Sequence, residues 1–120
     1  MTSADAQAFL PLTEATLYIL LSLASGKKHG YAIRQDVEAT SGGRIRLSTS
    51  TLYSALGRLL EQTLIARVEN DPDAGPGPGL PRKAYVLSEL GRRVLRAEVD
   101  RLQALTVTAR LRLGEGACRR

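Results

Sequence analysis

The chain predicts a mostly helical fold with a small β-hairpin, ending in a helix longer than such a domain needs. Three observations carry this expectation. Apolar residues recur at helical spacing in four separate stretches, two short runs alternate as strands do, and a Gly- and Pro-rich segment separates those runs. With 120 residues and 43% apolar content the chain can bury one modest core. Phe9 is the sole Phe and Trp is absent, so no large aromatic ligand cage is expected within one chain.

Residues 1–11 read as a flexible lead, small and polar until Phe9-Leu10-Pro11. Thr13 is a good N-cap, because its hydroxyl can accept from an otherwise unpaired amide, and a first helix follows from about 14 to Ser25. Leu17, Tyr18, Ile19, Leu20, Leu21 and Leu23 point in most directions around it, so it needs cover on more than one side. A second helix spans about 30–40, with Tyr31, Ile33 and Val37 inward and Arg34, Gln35, Asp36 and Glu38 outward. Ser41-Gly42-Gly43 ends it, since glycine supplies the left-handed backbone that lets a helix stop. Ile45 and Leu47 alternate with Arg44 and Arg46 as a short extended stretch, and Ser48 or Thr49 then caps a third helix that closes near Gln62.

That third helix divides into two faces. At 100° per residue, Leu52, Leu56, Leu59 and Leu60 fall on one side with Ala55, while Ser50, Ser54 and Gly57 fall opposite, flanked by Thr51, Tyr53 and Arg58. Residues 64–69 and 83–87 read as strands, joined by a loop over 70–81 too rich in Gly and Pro for regular structure. Ser88 caps a last helix running to about Leu113, roughly 37 Å long at 1.5 Å per residue, before a flexible tail over 114–120. Three helices and a hairpin in this order are those of a winged helix-turn-helix over 12–88, followed by a C-terminal helix over 89–113.

The formal net charge is +5 and the isoelectric point about 9.9. All 17 Lys and Arg lie beyond residue 26, a distribution that favours nucleic acid as a partner, although charge taken alone is equally consistent with a solvated basic surface. The third helix is then the reader. Hydroxyls of Thr49, Ser50, Thr51 and Ser54 can bond phosphates or base edges in a major groove, with Tyr53 and Arg58 beside them. Lys27, Lys28, Arg44 and Arg46 suit phosphate contacts around the second and third helices, and Arg82 and Lys83 suit the base of the hairpin loop.

Leu95, Val99, Leu102, Thr106, Ala109 and Leu113 draw one apolar stripe down the last helix. The small domain cannot cover its far end, so the expected arrangement is a homodimer with Leu17 and Leu21 of the first helix also at the interface. A small-molecule effector pocket is expected beside it, lined by Phe9, Tyr18, Leu95 and Val99. Enzymatic chemistry is poorly supplied, and no cofactor or metal is expected. His29 is the sole histidine, Cys118 the sole cysteine, and the glycines of the 70–81 loop precede no Gly-Lys-Ser/Thr. A single cysteine and an apolar run, 17–24, too short for a bilayer point to the cytoplasm with no membrane partner.

The assembled residues resemble the PadR family of bacterial transcriptional repressors over 12 to about 100. The match includes Leu12-Thr-Glu-Ala-Thr-Leu-Tyr-Ile-Leu-Leu21, His29-Gly-Tyr-Ala-Ile33, Ser41-Gly-Gly43, Thr51-Leu-Tyr53 and Leu87-Ser-Glu-Leu-Gly91. The resemblance implies a winged-helix domain, dimerisation through the C-terminal helix, and repression at double-stranded operator DNA relieved by a small molecule, as in the short subclass. It also implies DNA contacts at Gly30, Tyr31, Thr51, Tyr53 and Lys83. Thr63 stands where the family turns with Gly, Thr49 and Ser50 where a Pro and a small residue are usual, and Ala84 where the wing is usually aromatic or basic. The competing expectations are a winged-helix module that binds another protein without reading DNA sequence, and a metal- or redox-sensing regulator, which the short supply of ligands disfavours.

Overall fold

Five helices and a three-stranded antiparallel sheet make up the described part of the chain, residues 3–68 and 83–115 of a computed structural model. The expected loop over 70–81, Arg82 and Cys118 lie outside the described residues. The helices are α1 (Ser3–Gln7), α2 (Glu14–Ala24), α3 (Gly30–Thr40), α4 (Thr49–Glu61) and α5 (Glu89–Arg112). The strands are β1 (Lys28–His29), β2 (Ile65–Val68) and β3 (Ala84–Leu87), in the order β1-β3-β2.

Hydroxyl caps start three of the helices. Thr13 accepts from the Thr16 amide at 3.2 Å, Ser48 from Thr51 at 3.1 Å and Ser88 from Gly91 at 2.9 Å. Such caps satisfy amides that the first helical turn leaves unpaired. One core lies beneath them. Ile19, Leu20 and Leu23 of α2, Ile33 and Val37 of α3, and Leu52, Leu56 and Leu59 of α4 meet Leu64, Ile65, Tyr85 and Val94.

Three expectations are corrected here. Residues 3–7, read as part of a flexible lead, form α1, which packs on α5 with Ala6 only 2% exposed. Tyr31, read as inward, is 64% exposed, because Ile33 and Val37 already occupy the inward side of α3. The hairpin also gains a third strand. Lys28 and His29 pair with Tyr85 and Ala84, a two-residue ladder too short to show any sequence period.

The start of α5 is locked onto the turn between α4 and β2. Ser88 donates its backbone amide to the Leu64 carbonyl at 3.0 Å and its hydroxyl to the Thr63 carbonyl at 2.6 Å. Gly91 sits directly against that turn, where a β-carbon would overlap the Leu64 carbonyl oxygen. Thr63 holds the left-handed backbone conformation (φ 59°) that a glycine would adopt without strain.

Beyond the turn, Glu98 ties α5 to the segment entering α2. Its side chain is 1% exposed, accepts from the Leu12 amide at 3.1 Å, and receives Nε and Nη2 of Arg101 at 2.6 and 3.1 Å. The Arg101 hydrogen bond holds this carboxyl below the usual glutamate range, assisted by the Leu12 amide, while burial opposes both.

Gly91→Ala should lower the unfolding free energy by about 3 kcal/mol, because backbone rather than a side-chain tip must move, whereas Thr63→Gly should raise it by roughly 0.5–1 kcal/mol. Urea melts of the two variants check both signs. Because the folded-state pKa of Glu98 lies below its unfolded value of about 4.3, its stabilisation is present above that value and lost as pH falls through the folded pKa. Thermal melts between neutral and acid pH should show this component in the unaltered protein and lack it in Glu98→Gln.

Candidate nucleic-acid interface

The cap at Ser48 and the leucines of α4 determine which side chains this helix offers outward. Leu52, Leu56 and Leu59 are at most 3% exposed and Ala55 is 7% exposed, so Thr49, Ser50, Thr51, Ser54 and Arg58 all reach the surface. Thr51 is oriented by Ser48, whose hydroxyl donates to Thr51 Oγ1 at 2.8 Å. No acidic residue occupies the first turn of α3 or α4.

Tyr53 points sideways from α4 toward the start of α3. Its hydroxyl lies over Gly30, where a β-carbon would overlap Oη and stand 2.8 Å from Cζ. Gly30 is therefore the seat for this ring. Tyr85 of β3 is close enough that Tyr53, after burial, helps push the Tyr85 phenol up, with Arg67 of β2 acting in the opposite direction. Helix α4, α3 and the sheet thus meet around two tyrosines.

Tyr31, Arg34, Thr49, Leu52 and Tyr53 enclose a recess of about 190 Å³ at this junction. Arg34 Nη1 donates to Thr49 Oγ1 at 3.3 Å, and its guanidinium carbon is 6.0 Å from the centroid of the Tyr31 ring. The sequence reading placed Arg34 only on an outward face. Its spacing of three residues from Tyr31 was the available signal, since i and i+3 share a helix face.

The expected cations are engaged unevenly. Lys28 Nζ donates to the Ser22 carbonyl at 2.6 Å and to Ser25 Oγ at 2.8 Å, so it closes the C-terminal end of α2. Arg44 pairs with Glu14 at the start of α2, and Arg46 lies 3.6 Å from Glu38 of α3. Lys27 and Lys83 are exposed, and Arg67 is an exposed wing cation that the sequence reading did not single out.

The expected interface residues are also divided. Leu95 is 6% exposed, within the core of its own domain. Leu17 and Leu102 are half-buried, while Leu21, Val99, Thr106, Ala109 and Leu113 are exposed. Leu105, Val107 and Leu111 are exposed as well and were not anticipated. Phe9 lines a cavity of about 210 Å³ with Leu12, Thr16, Arg58 and Leu59, and Tyr18, Leu95 and Val99 do not line it, so the four expected pocket residues do not enclose that space.

Residues 19–97 match the transcriptional regulator PadR-like family. The chain belongs to this family. A PadR family transcription regulator from Clostridium difficile aligns at TM-score 0.68 and 21% identity, over 84% of this chain and 99% of that one. PadR of Bacillus subtilis, solved in complex with operator DNA, aligns at TM-score 0.63 and 20% identity over 82% and 61%. These two show the shared winged-helix fold with its C-terminal helix. An uncharacterized 37.1 kDa protein in transposon TN4556 of Streptomyces fradiae is 32% identical over 93 residues, 78% of this chain. The chain spans about a quarter (24%) of the length of that curated relative. Among the described residues no helix is long and apolar enough to cross a membrane.

A double-mutant cycle tests the Gly30–Tyr53 seat. Gly30→Ala should destabilise the unaltered background, yet become neutral or stabilising by up to about 1 kcal/mol in Tyr53→Ala, where only the helix propensity of alanine remains. Additive effects in urea melts would mean that the ring does not rest on Gly30.

Proposed function

We propose that this PadR-like protein is a dimeric, sequence-specific DNA-binding regulator of the cytoplasm that represses transcription by occupying an operator. The observation that carries this reading is the outward side of α4: hydroxyls of Thr49, Ser50, Thr51 and Ser54 exposed along one helix whose Leu52, Leu56 and Leu59 are buried. Side chains of that length and polarity suit base edges and phosphates in a major groove. Tyr31, Tyr53 and Arg58 extend the contact along the same side, and Lys27, Arg44, Arg46, Lys83 and Arg82 are further phosphate contacts in this proposal. Exposed ion pairs such as Arg44–Glu14 and Arg46–Glu38 are worth little and can exchange a carboxylate for a phosphate.

Dimerisation is supported by the far half of α5. After Glu98 no described residue is buried, although Val99, Leu102, Leu105, Ala109 and Leu113 lie along one side of the helix. A second copy of α5, with Leu17 and Leu21 of α2, would cover that stripe and set two copies of α4 about a two-fold axis. Relief by a small molecule, which the family resemblance implies, belongs to the same proposal, with its site formed only on dimerisation.

Fluorescence anisotropy against a duplex selected from a random library and against a shuffled duplex, at several salt concentrations, tests the reading. A clear preference for the selected duplex is expected, with affinity falling steeply as salt rises. Equal affinity for both would leave a protein-interaction module as the better description. Sedimentation of Leu102→Asp/Leu113→Asp should show monomers, and an unaltered dimer would remove α5 from the interface.

A further inference from the structure

We infer that the recess between the starts of α3 and α4 is the seat of one sugar-phosphate unit of a bound DNA strand, with Arg34 as the residue that holds its phosphate. This rests on the DNA-binding reading above and assigns a specific task to a residue outside the recognition helix.

Arg44, Arg46, Arg93, Arg101 and Arg110 each lie beside a carboxylate, namely Glu14, Glu38, Glu89, Glu98 and Glu115. Arg34 makes no such pair among the described residues. Its contacts are the Thr49 hydroxyl and the face of Tyr31, which orient a guanidinium without neutralising it. Glu38 lines a second recess of about 340 Å³ with Arg34, and its carboxylate stands beside Arg46. An oriented cation whose neighbours leave its charge uncompensated is suited to an external anion.

The lining then selects which anion. The recess of about 190 Å³ is lined by Tyr31, Leu52, Tyr53 and Thr49 together with Arg34. A free phosphate would use the cation and leave the apolar wall in contact with water. A nucleotide backbone unit has both parts: a deoxyribose with an apolar face and a phosphate that the planar guanidinium fork can hold with two hydrogen bonds. The recess also lies beside the hydroxyl side of α4, through Thr49, so a strand seated here would fix how deeply and in what register α4 enters the groove. Phosphate contacts of this kind position a reader and carry no sequence information.

The test uses the full chain with the selected and shuffled duplexes. Arg34→Gln should fold as the unaltered protein does, as a circular dichroism melt checks, since it loses only one long hydrogen bond and an exposed contact with the Tyr31 ring. Its slope of log affinity on log salt should become shallower by about 0.9 for each protomer bound, on both duplexes alike, with the ratio of the two affinities unchanged. Arg34→Lys, which keeps the charge, should restore the slope, and Arg96→Gln on α5 should leave it untouched. If the affinity ratio collapsed while the slope stayed the same, Arg34 would be reading a base and the assignment would fall. If neither changed, Arg34 would be an ordinary solvated arginine. Failure of the unaltered protein to bind either duplex would instead overturn the DNA reading, and this inference with it.

Discussion

Leu52, Leu56 and Leu59 anchor α4 in the core, and their positions on a helix of 3.6 residues per turn leave the polar side chains of α4 no choice of direction. Burying such a side chain is worth about 1.5–3 kcal/mol, whereas an exposed hydroxyl gains little from any one orientation. The apolar side therefore sets the polar one. Ser50 and Ser54 face out because the leucines face in, and Ser48 sets where the helix starts and how Thr51 is turned. Tyr53 falls between the two faces, which is why it can lean onto Gly30 and reach the neighbourhood of Tyr85.

Charge is organised around this frame in two ways. Arg44–Glu14 and Arg46–Glu38 join the connection between α3 and α4 to the helices on either side, but all four side chains are substantially exposed, and such pairs add little stability. Glu98 is different. Its buried carboxylate has the Leu12 amide and the Arg101 guanidinium as partners, so losing one partner would leave charge in a poorly solvated place. The N-terminal segment is thus held to α5 by a polar clasp as well as by Ala6.

The last helix serves two environments in succession. Its first three turns bury Leu90, Gly91, Val94, Leu95 and Glu98 against the domain, while the remainder leaves the domain behind. An apolar stripe continuing past the point where the core ends is the pattern expected of a helix with a second surface to cover. Leu95 belongs to the first part and Val99 to the second, although both lie on the same stripe in sequence.

The spans of α2 to α5, the hydroxyl caps, the positions of β2 and β3 and the division of α4 were legible in the sequence, because each depends on interactions among residues a few positions apart. Leucine spacing gave the buried side of α4, and the hydroxyls of Thr13, Ser48 and Ser88 marked helix starts. What sequence could not decide depended on partners far along the chain. Whether Lys28, Arg34, Arg44 or Arg46 is neutralised is settled by which element folds beside it, and the third strand exists only because β3 arrives next to residues 28 and 29. Likewise α1 is stable through its packing on α5, and Leu95 is core because the domain extends that far along the helix. Local periodicity specifies which way a side chain points relative to its own helix; only tertiary packing determines what stands opposite it.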